Sequence, residues 1–498
     1  MHKRLTFLQD WRGDMLALVA GALLPLTFAP LRLGWLAPLL LACLFATWLE
    51  VSPRRVLLRG WLFASAMFMA GVYWLYTSMH VFGYVPPFIA VLFVILFSVS
   101  LALLPAFAGY MARRWFYNGP AQYLVVVIPL CWALMEWVRG WFLTGFPWLG
   151  IGYSQTGMPL QGFAPILGVH AVSLLTAMSA ALMVYIVMSS RISRALGVSA
   201  LLLMWVAGAL LDRIEWTSPA GKALTVSLVQ GNVDQHRKWR PDYRNGIIDN
   251  YLKLTRWHWN SDIIIWPETA VPAFYRNVAK SRMLPLAVEA RQHKTDMLIG
   301  VPVKGKGRTY YNSVVTLGSE IGFYHKRHLV PFGEYVPLRK YLKNLLAIMR
   351  APMAGFVPGD SDQKLVKLAG YPVAVAVCYE IVFGSEVARD LPQAAFIVNV
   401  SNNAWFGRSG AAHQQLQMGQ MRARELERYV LSDTNDGVTA IVDDRGRVVK
   451  ELPRFQVGVL TGKVVPRQGA TPYARWRDWP IMVLIVVALG LVRLRRRG

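Results

Sequence analysis

Apolar runs separated by short basic stretches alternate along most of the chain. The runs fall at about 15–30, 35–49, 61–78, 88–111, 123–138, 166–188, 195–211 and 479–492. A helix crossing the hydrocarbon of a bilayer needs roughly 20 apolar residues. The first, second and last runs are short, so their ends borrow flanking residues, and Trp35, Trp476 and Trp479 are placed to act as interfacial anchors. The pattern predicts a polytopic α-helical membrane bundle of about eight spans.

One long segment, about 220–470, breaks this alternation. "ALTVSLVQGNV", "DIIIWPE", "MLIGVPV", "NSVVTLG", "VAVAVCYE" and "AAFIVNVSNN" read as short buried strands with turn residues behind them. Helix-like stretches such as "RNGIIDNYLKLTRWHW" and "HQQLQMGQMRARELERY" lie between some of them. Strands alternating with helices predict a layered α/β domain. "DDRG" at 443–446 reads as a hairpin turn. The expected organisation is a seven-span membrane domain over 1–214, an α/β domain over 220–468, and an eighth span with a basic tail over 475–498.

Charge sets the orientation of such a bundle. The chain carries a formal charge of +25, with 55% apolar and 16% charged residues among its 498. Such a balance can signal nucleic-acid binding, but here the basic residues sit beside apolar runs, and no nucleic-acid partner is expected. Lys3, Arg4 and Arg12 precede the first run; Arg54, Arg55 and Arg59 follow the second; Arg113 and Arg114 follow the fourth. Arg191 and Arg194 follow the sixth run, and Arg493, Arg495, Arg496 and Arg497 close the chain. The alternate loops hold little beyond Arg32 and Arg139. With eight spans, the positive-inside rule puts both termini in the cytoplasm and the 220–470 segment on the outer face. The start, "MHKRLTFLQDWRGDMLALVAGALL", resembles a signal peptide but reads as an uncleaved first span, because further apolar runs follow closely.

Candidate chemistry is confined to the α/β segment. Of the three cysteines, Cys43 and Cys131 lie inside apolar runs, with no CxxC pair and no disulfide framework. Cys378 closes "VAVAVC", Glu268 closes "IIIWPE", and Lys326 sits in "YHKRHLVPFGEYVPL". Residues just past strand ends in layered α/β folds converge on one site. A thiol, a carboxylate and an ammonium together make an acyl-transfer site: the thiol attacks a carbonyl, the carboxylate takes its proton, and the ammonium holds the anion that develops. No metal or organic cofactor is required. Singly, each residue has a plainer reading: a buried core thiol, a helix-capping carboxylate, a solvated surface lysine. Their joint appearance at strand ends favours the site.

The order WPE, YxKxxLVPFGE, CYE resembles the nitrilase superfamily with its Glu-Lys-Cys triad. Apolar spans around that domain, with "LVPFGEYVPL", "CYE" and "SNNAWFG", resemble the apolipoprotein N-acyltransferase family of the bacterial envelope. The resemblance covers essentially the whole chain. It implies a nitrilase-like αββα sandwich facing the periplasm of the inner membrane. It also implies transfer of an acyl chain from a phospholipid, typically phosphatidylethanolamine, to the N-terminal amine of diacylglyceryl-cysteine on apolipoproteins. By the same resemblance Glu268 is the general base, Lys326 the oxyanion stabiliser, Cys378 the nucleophile and Glu334 a supporting carboxylate. Tyr379 and Glu380 are implied as essential neighbours, and Trp239, in "QHRKWRPD", as a residue near the entrance. The partners implied are the acyl-donor phospholipid, the apolipoprotein and the bilayer, and a monomer is expected. One departure is visible: the resemblance leads to "SNDAWFG", and this chain has Asn403 in place of the aspartate.

Two further stretches bear on lipid contact. "GWFLTGFPWLGIGYSQ" (140–155), with Phe146 and Trp148, reads equally as an aromatic belt or a lipid-binding loop, and the resemblance favours the latter. "YLKNLLAIMRAPMAGFVPG" (341–359), with Phe356, reads as a core helix or as an arm dipping into the interface, flanked by Lys340, Lys343 and Arg350. Glu136, Arg139 and His170 lie near span ends, where helix-end roles are expected, and Arg139 is a candidate phosphate contact. Two other functions compete with the acyltransferase. One is a membrane-tethered nitrilase-type amidohydrolase acting on a small amide. The other is a transporter or scaffold, against which the complete Glu268, Lys326 and Cys378 set argues.

Overall fold

A computed structural model describes residues 6–307, 309–336 and 355–495. The chain divides into two compact units: Met1–Tyr76 with Pro87–Glu215 and Trp476–Gly498, and Thr77–Pro86 with Trp216–Arg475. The second unit thus includes a ten-residue piece of the chain that lies far from it in sequence.

The first unit is helical, and every apolar run forms helix. Among the described residues, four helices are long and apolar enough to cross a membrane: Pro87–Trp115, Pro120–Arg139, Pro159–Met188 and Arg191–Leu211. A fifth arises if the bent pair Pro53–Gly71 and Trp74–Phe82 is one span. The helices Trp11–Leu23, Leu36–Thr47 and Trp479–Arg495 have 13, 12 and 17 residues. Fewer helices therefore reach spanning length than the eight runs suggest. The local cause is visible in the first run, where Pro25 takes the chain into the 3-10 turn Leu24–Thr27.

Helix Pro53–Gly71 organises this unit. Ser52 caps it by accepting from the Arg55 N–H, and Pro53 occupies its first turn. It lies so close to Trp11–Leu23 that a Cβ on Gly21 would stand 2.0 Å from the Phe63 carbonyl oxygen. Only glycine permits that approach. Asp14 accepts from Arg55 Nε at 2.9 Å and from Arg59 Nε at 2.8 Å. The fully buried Arg59 also donates to the carbonyls of Thr47 and Asp10. Two of the three arginines of that basic loop are thus bound to a carboxylate.

The second unit is built on two six-stranded sheets. One runs Val448–Glu451, Ala440–Val442, Val430–Thr434, Ile397–Ser401, Tyr371–Val377, Val366–Leu368. The other runs Gly458–Val464, Leu224–Gln230, Ile263–Trp266, Asp296–Gly300, Ser313–Leu317, Phe323–His325. Strand Ile263–Trp266 shows why the central strands read as unbroken apolar runs. Ile263 and Ile265 face the core between the sheets, with Val375, Val398 and Leu431 from the other sheet. Ile264 and Trp266 face the opposite way, into a core with Ile248, Tyr251, Leu286 and Ala290 from helices Pro241–Arg256 and Leu284–Gln292. Both faces are covered, so the period-two alternation disappears. Helix Ala411–Leu426 packs on strand Val430–Thr434 of the other sheet. The result is an αββα sandwich, the nitrilase-like architecture.

Register explains where the functional residues come together. Ile263–Trp266 is parallel to both Leu224–Gln230 and Asp296–Gly300, and Tyr371–Val377 is parallel to Ile397–Ser401. Phe323–His325 reaches the same end after two antiparallel steps. Glu268 and Lys326 follow carboxyl ends in one sheet, and Cys378 and Asn402 in the other.

Candidate active site

Cys378 begins the turn Cys378–Val382 directly after its strand. Its φ of 57° is a left-handed conformation that a residue with a Cβ adopts only when its surroundings hold it there. The Gln415 side chain, from helix Ala411–Leu426, donates to the Cys378 carbonyl at 2.8 Å and lies 3.9 Å from Sγ.

Lys326 is buried between two carboxylates. Its Nζ stands 2.9 Å from Glu334 Oε2 and 3.9 Å from Glu268 Oε1. Glu268 is itself fixed on both oxygens: Asn312 Nδ2 donates to Oε1 and the Asn402 N–H donates to Oε2, each at 2.7 Å. Asn312 also donates to Glu334 Oε1 at 2.7 Å, and the Val330 N–H donates to Glu334 Oε2 at 2.8 Å. The structure therefore brings Glu268, Lys326, Glu334 and Cys378 into one cluster. It adds Asn402, from the "SNNAWFG" stretch, and Asn312 and Gln415, which carry no motif that the sequence reading could use.

Charge within the cluster follows from burial. Burial pushes the Cys378 thiol up to about 12, with the Glu268 charge adding to the shift and Lys326 opposing it. The thiol is neutral at physiological pH. Burial alone would lower Lys326, but the charges of Glu334 and Glu268 outweigh it and hold the ammonium above its ordinary value. Lys326 is thus a fixed cation rather than a proton donor. A second buried lysine, Lys238, reaches the Glu268 carbonyl at 3.3 Å, and burial pulls it down to about 8. Among the described residues no group of three or more His, Cys, Asp or Glu side chains is arranged to hold a metal ion.

The other expected residues divide. Glu380 is not open to a substrate. Its carboxylate accepts from the N–H groups of Val377 (2.7 Å), His328 (3.1 Å) and Arg327, and from Tyr324 O–H at 3.0 Å on each oxygen. It ties the loop after Lys326 to the strand before Cys378. Tyr379 is buried against His328 and Phe383, with centroids at 5.8 and 5.0 Å. Trp239 is 40% exposed and follows the helical turn Gln235–Lys238. Phe356 stands edge-on to Tyr310 at 5.1 Å. Most of the 341–359 stretch, with Lys340, Lys343 and Arg350, lies outside the described residues. Phe146 and Trp148 belong to the helical unit, where Trp148 is buried against Trp74 at 5.1 Å. Arg139 is 2% exposed and donates to the Phe146 carbonyl at 2.8 Å and to that of Trp148. These donors go to backbone carbonyls of the 140–155 loop. Glu136 accepts from the Ile151 N–H at 2.8 Å.

The outlying segment Thr77–Pro86 binds the loop that contains "SNNAWFG". Ser78 Oγ donates to the Trp405 carbonyl at 2.8 Å, and Phe82 lies 5.9 Å from the Trp405 ring and 5.4 Å from His236. Tyr84 O–H meets His236 Nδ1 at 2.8 Å.

Residues 225–473 match the family described as carbon-nitrogen hydrolase, and residues 20–182 match the apolipoprotein N-acyltransferase N-terminal domain. An apolipoprotein N-acyltransferase of Methylococcus capsulatus is 45% identical, covering 98% of this chain and 97% of that one. The chain belongs to the apolipoprotein N-acyltransferase family. A relative from Azotobacter vinelandii with the same name is 42% identical over 98% of this chain and 96% of its own. A carbon-nitrogen hydrolase from Helicobacter pylori G27 aligns with 52% of this chain and 94% of its own, at 14% identity and a TM-score of 0.37. An apolipoprotein N-acyltransferase is an acyltransferase enzyme, and the apolar helices of the first unit accord with a membrane protein.

Proposed function

We propose that this protein transfers an acyl chain from a membrane phospholipid, through a thioester on Cys378, to the N-terminal amine of a diacylglyceryl apolipoprotein. The observation that carries the reading is a cationic Lys326 between Glu268 and Glu334, beside a thiol held at a strand end.

Glu268 takes the Cys378 proton as sulfur attacks the donor ester carbonyl. The tetrahedral anion forms against Lys326, whose charge Glu334 keeps in place. The ester C–O bond breaks, and the lysolipid alkoxide takes the proton from Glu268. In the second half-reaction the acceptor amine attacks the thioester and gives a proton to Glu268. The C–S bond breaks, and the leaving sulfur recovers that proton. One carboxyl group thus serves both halves of a ping-pong cycle. A donor with ordinary ester chemistry suffices, and phosphatidylethanolamine is the donor we expect.

The spans supply the geometry for such substrates. We infer eight membrane segments, short ones included, from 1–214 and 475–498, with the 220–468 domain on the periplasmic side of the inner membrane and both termini cytoplasmic. The basic loops on alternate connections support this. Anchoring a monomeric catalytic domain at the surface raises the effective concentration of lipid-held donor and acceptor.

The test compares acceptors. Purified protein is incubated with radiolabelled phospholipid and a diacylglyceryl lipopeptide whose N-terminus is free or acetylated. Label on the free lipopeptide alone is expected. Release of free fatty acid at the same rate with either peptide would identify an amidohydrolase-like enzyme that uses water instead.

A further inference from the structure

The "SNNAWFG" loop and helix Ala411–Leu426 meet behind Cys378 in a pair of buried amides. Gln415 is 4% exposed and Asn403 2%. Gln415 Nε2 lies 2.8 Å from the Cys378 carbonyl oxygen, 3.9 Å from Sγ and 3.3 Å from Ser401 Oγ. Its Oε1 lies 2.6 Å from Asn403 Nδ2.

Chemistry decides which way these amides point. A carbonyl oxygen only accepts, so the Gln415 atom facing Cys378 must be nitrogen. Gln415 Oε1 then faces Asn403, and Asn403 must supply a donor. Asparagine does this at any pH, whereas an aspartate at that position would set acceptor against acceptor. The amide of Gln415 would then turn over and place its own oxygen against the Cys378 carbonyl. The asparagine that departs from the expected motif is therefore the residue that keeps an N–H aimed at the nucleophile.

We propose that Gln415 is a positioning residue for Cys378, and that Asn403 sets its orientation. One Gln415 N–H holds the carbonyl of the strained Cys378. The other, directed between Ser401 Oγ and Sγ, favours negative charge on sulfur during attack. This deepens the proposed function and rests on Cys378 being its nucleophile.

The test follows iodoacetamide alkylation of Cys378 by peptide mass mapping across pH, with Cys43 and Cys131 in the same sample as internal controls. Gln415→Met keeps the volume and removes both donors. Gln415→Glu replaces the donor by an acceptor. Asn403→Asp removes the donor to Gln415 Oε1 and, when ionised, sets a carboxylate against it. Each is expected to slow Cys378 alkylation about tenfold near pH 8, the loss of one hydrogen bond to a developing charge, with the control cysteines unchanged. For Asn403→Asp the deficit is expected to close as pH falls, because a protonated carboxyl donates to Gln415 again. A purely structural role for Asn403 gives no such closing. If the Gln415 variants melt far below the wild type, Asn403→Asp decides the matter alone. Wild-type alkylation rates in that variant would overturn the proposal. An absence of acyl mass on wild-type Cys378 would instead overturn the proposed function and leave the alkylation result standing.

Discussion

Asn312 donates through a single side-chain nitrogen to Glu268 and to Glu334, at 2.7 Å each. The two carboxylates that flank Lys326 are therefore held apart and aimed by one amide. Asn312→Asp removes both donors and adds a third carboxyl to the cluster. Hydrogen bonds to charged groups contribute about 1.5–3 kcal/mol, so acyl transfer is expected to fall by about 10- to 100-fold or more. Steady-state transfer to a lipopeptide measures this, and a loss of less than threefold would show that the clamp is not needed.

Glu268→Gln preserves shape and one of the two accepting oxygens but cannot take a proton. Because burial holds the Cys378 thiol near 12, no useful thiolate exists without a base. Loss of acyl-enzyme formation with an unchanged melting curve is expected. Thioester formation at the normal rate in this variant would remove Glu268 from the role of base.

Glu380 gives a pH dependence of stability. Burial pushes its carboxyl up to about 7, against the N–H donors of Val377, His328 and Arg327 and the Lys326 charge. The folded chain then binds more protons than the unfolded chain between the ordinary carboxyl value of 4.5 and about 7. Stability from this group is full below that window and declines as pH rises through it. Asp436, raised by burial to about 6, acts in the same direction. Melting temperature in detergent is expected to fall between about pH 5 and pH 7.5, and the slope to flatten in Glu380→Gln. An identical slope in the variant would show that Glu380 does not titrate there.

Asp14→Asn tests the helical unit. Arg59 is fully buried and loses its only charged partner among the salt bridges described, while Arg55 is freed at the surface. An uncompensated buried charge costs about 3–5 kcal/mol. A clearly lower melting temperature and poorer yield are expected, and wild-type stability would contradict this account of the Pro53–Gly71 contact.

Much of this arrangement was legible from residues alone. "IIIW" reads as a strand covered on both faces, Glu268 and Cys378 announce themselves because each ends an apolar run with a reactive group, and Lys326 does so through the motif around it. Glu334 follows from the motif that contains Lys326. Asn312 and Gln415 were not legible, because an amide gains its role only from the atoms that tertiary packing sets around it. The hydrogen bonds of Glu380 were not legible for a related reason: adjacency to Cys378 in sequence sends a side chain inward as readily as outward. The Thr77–Pro86 segment joins the catalytic unit across more than 300 residues, as the Ser78–Trp405 bond shows, and no local pattern marks it. Helix lengths were not legible, since hydropathy finds apolar residues but not where Pro25 or Gly71 ends a helix.

The central claim is that Cys378 carries the acyl group between donor and acceptor. Intact-mass measurement of purified protein after incubation with phospholipid tests it directly. The account predicts one added fatty acyl mass, mapped to Cys378, discharged by a diacylglyceryl lipopeptide and absent from Cys378→Ala. Undiminished transfer to the lipopeptide by Cys378→Ala, or an acyl mass on another residue, would contradict it.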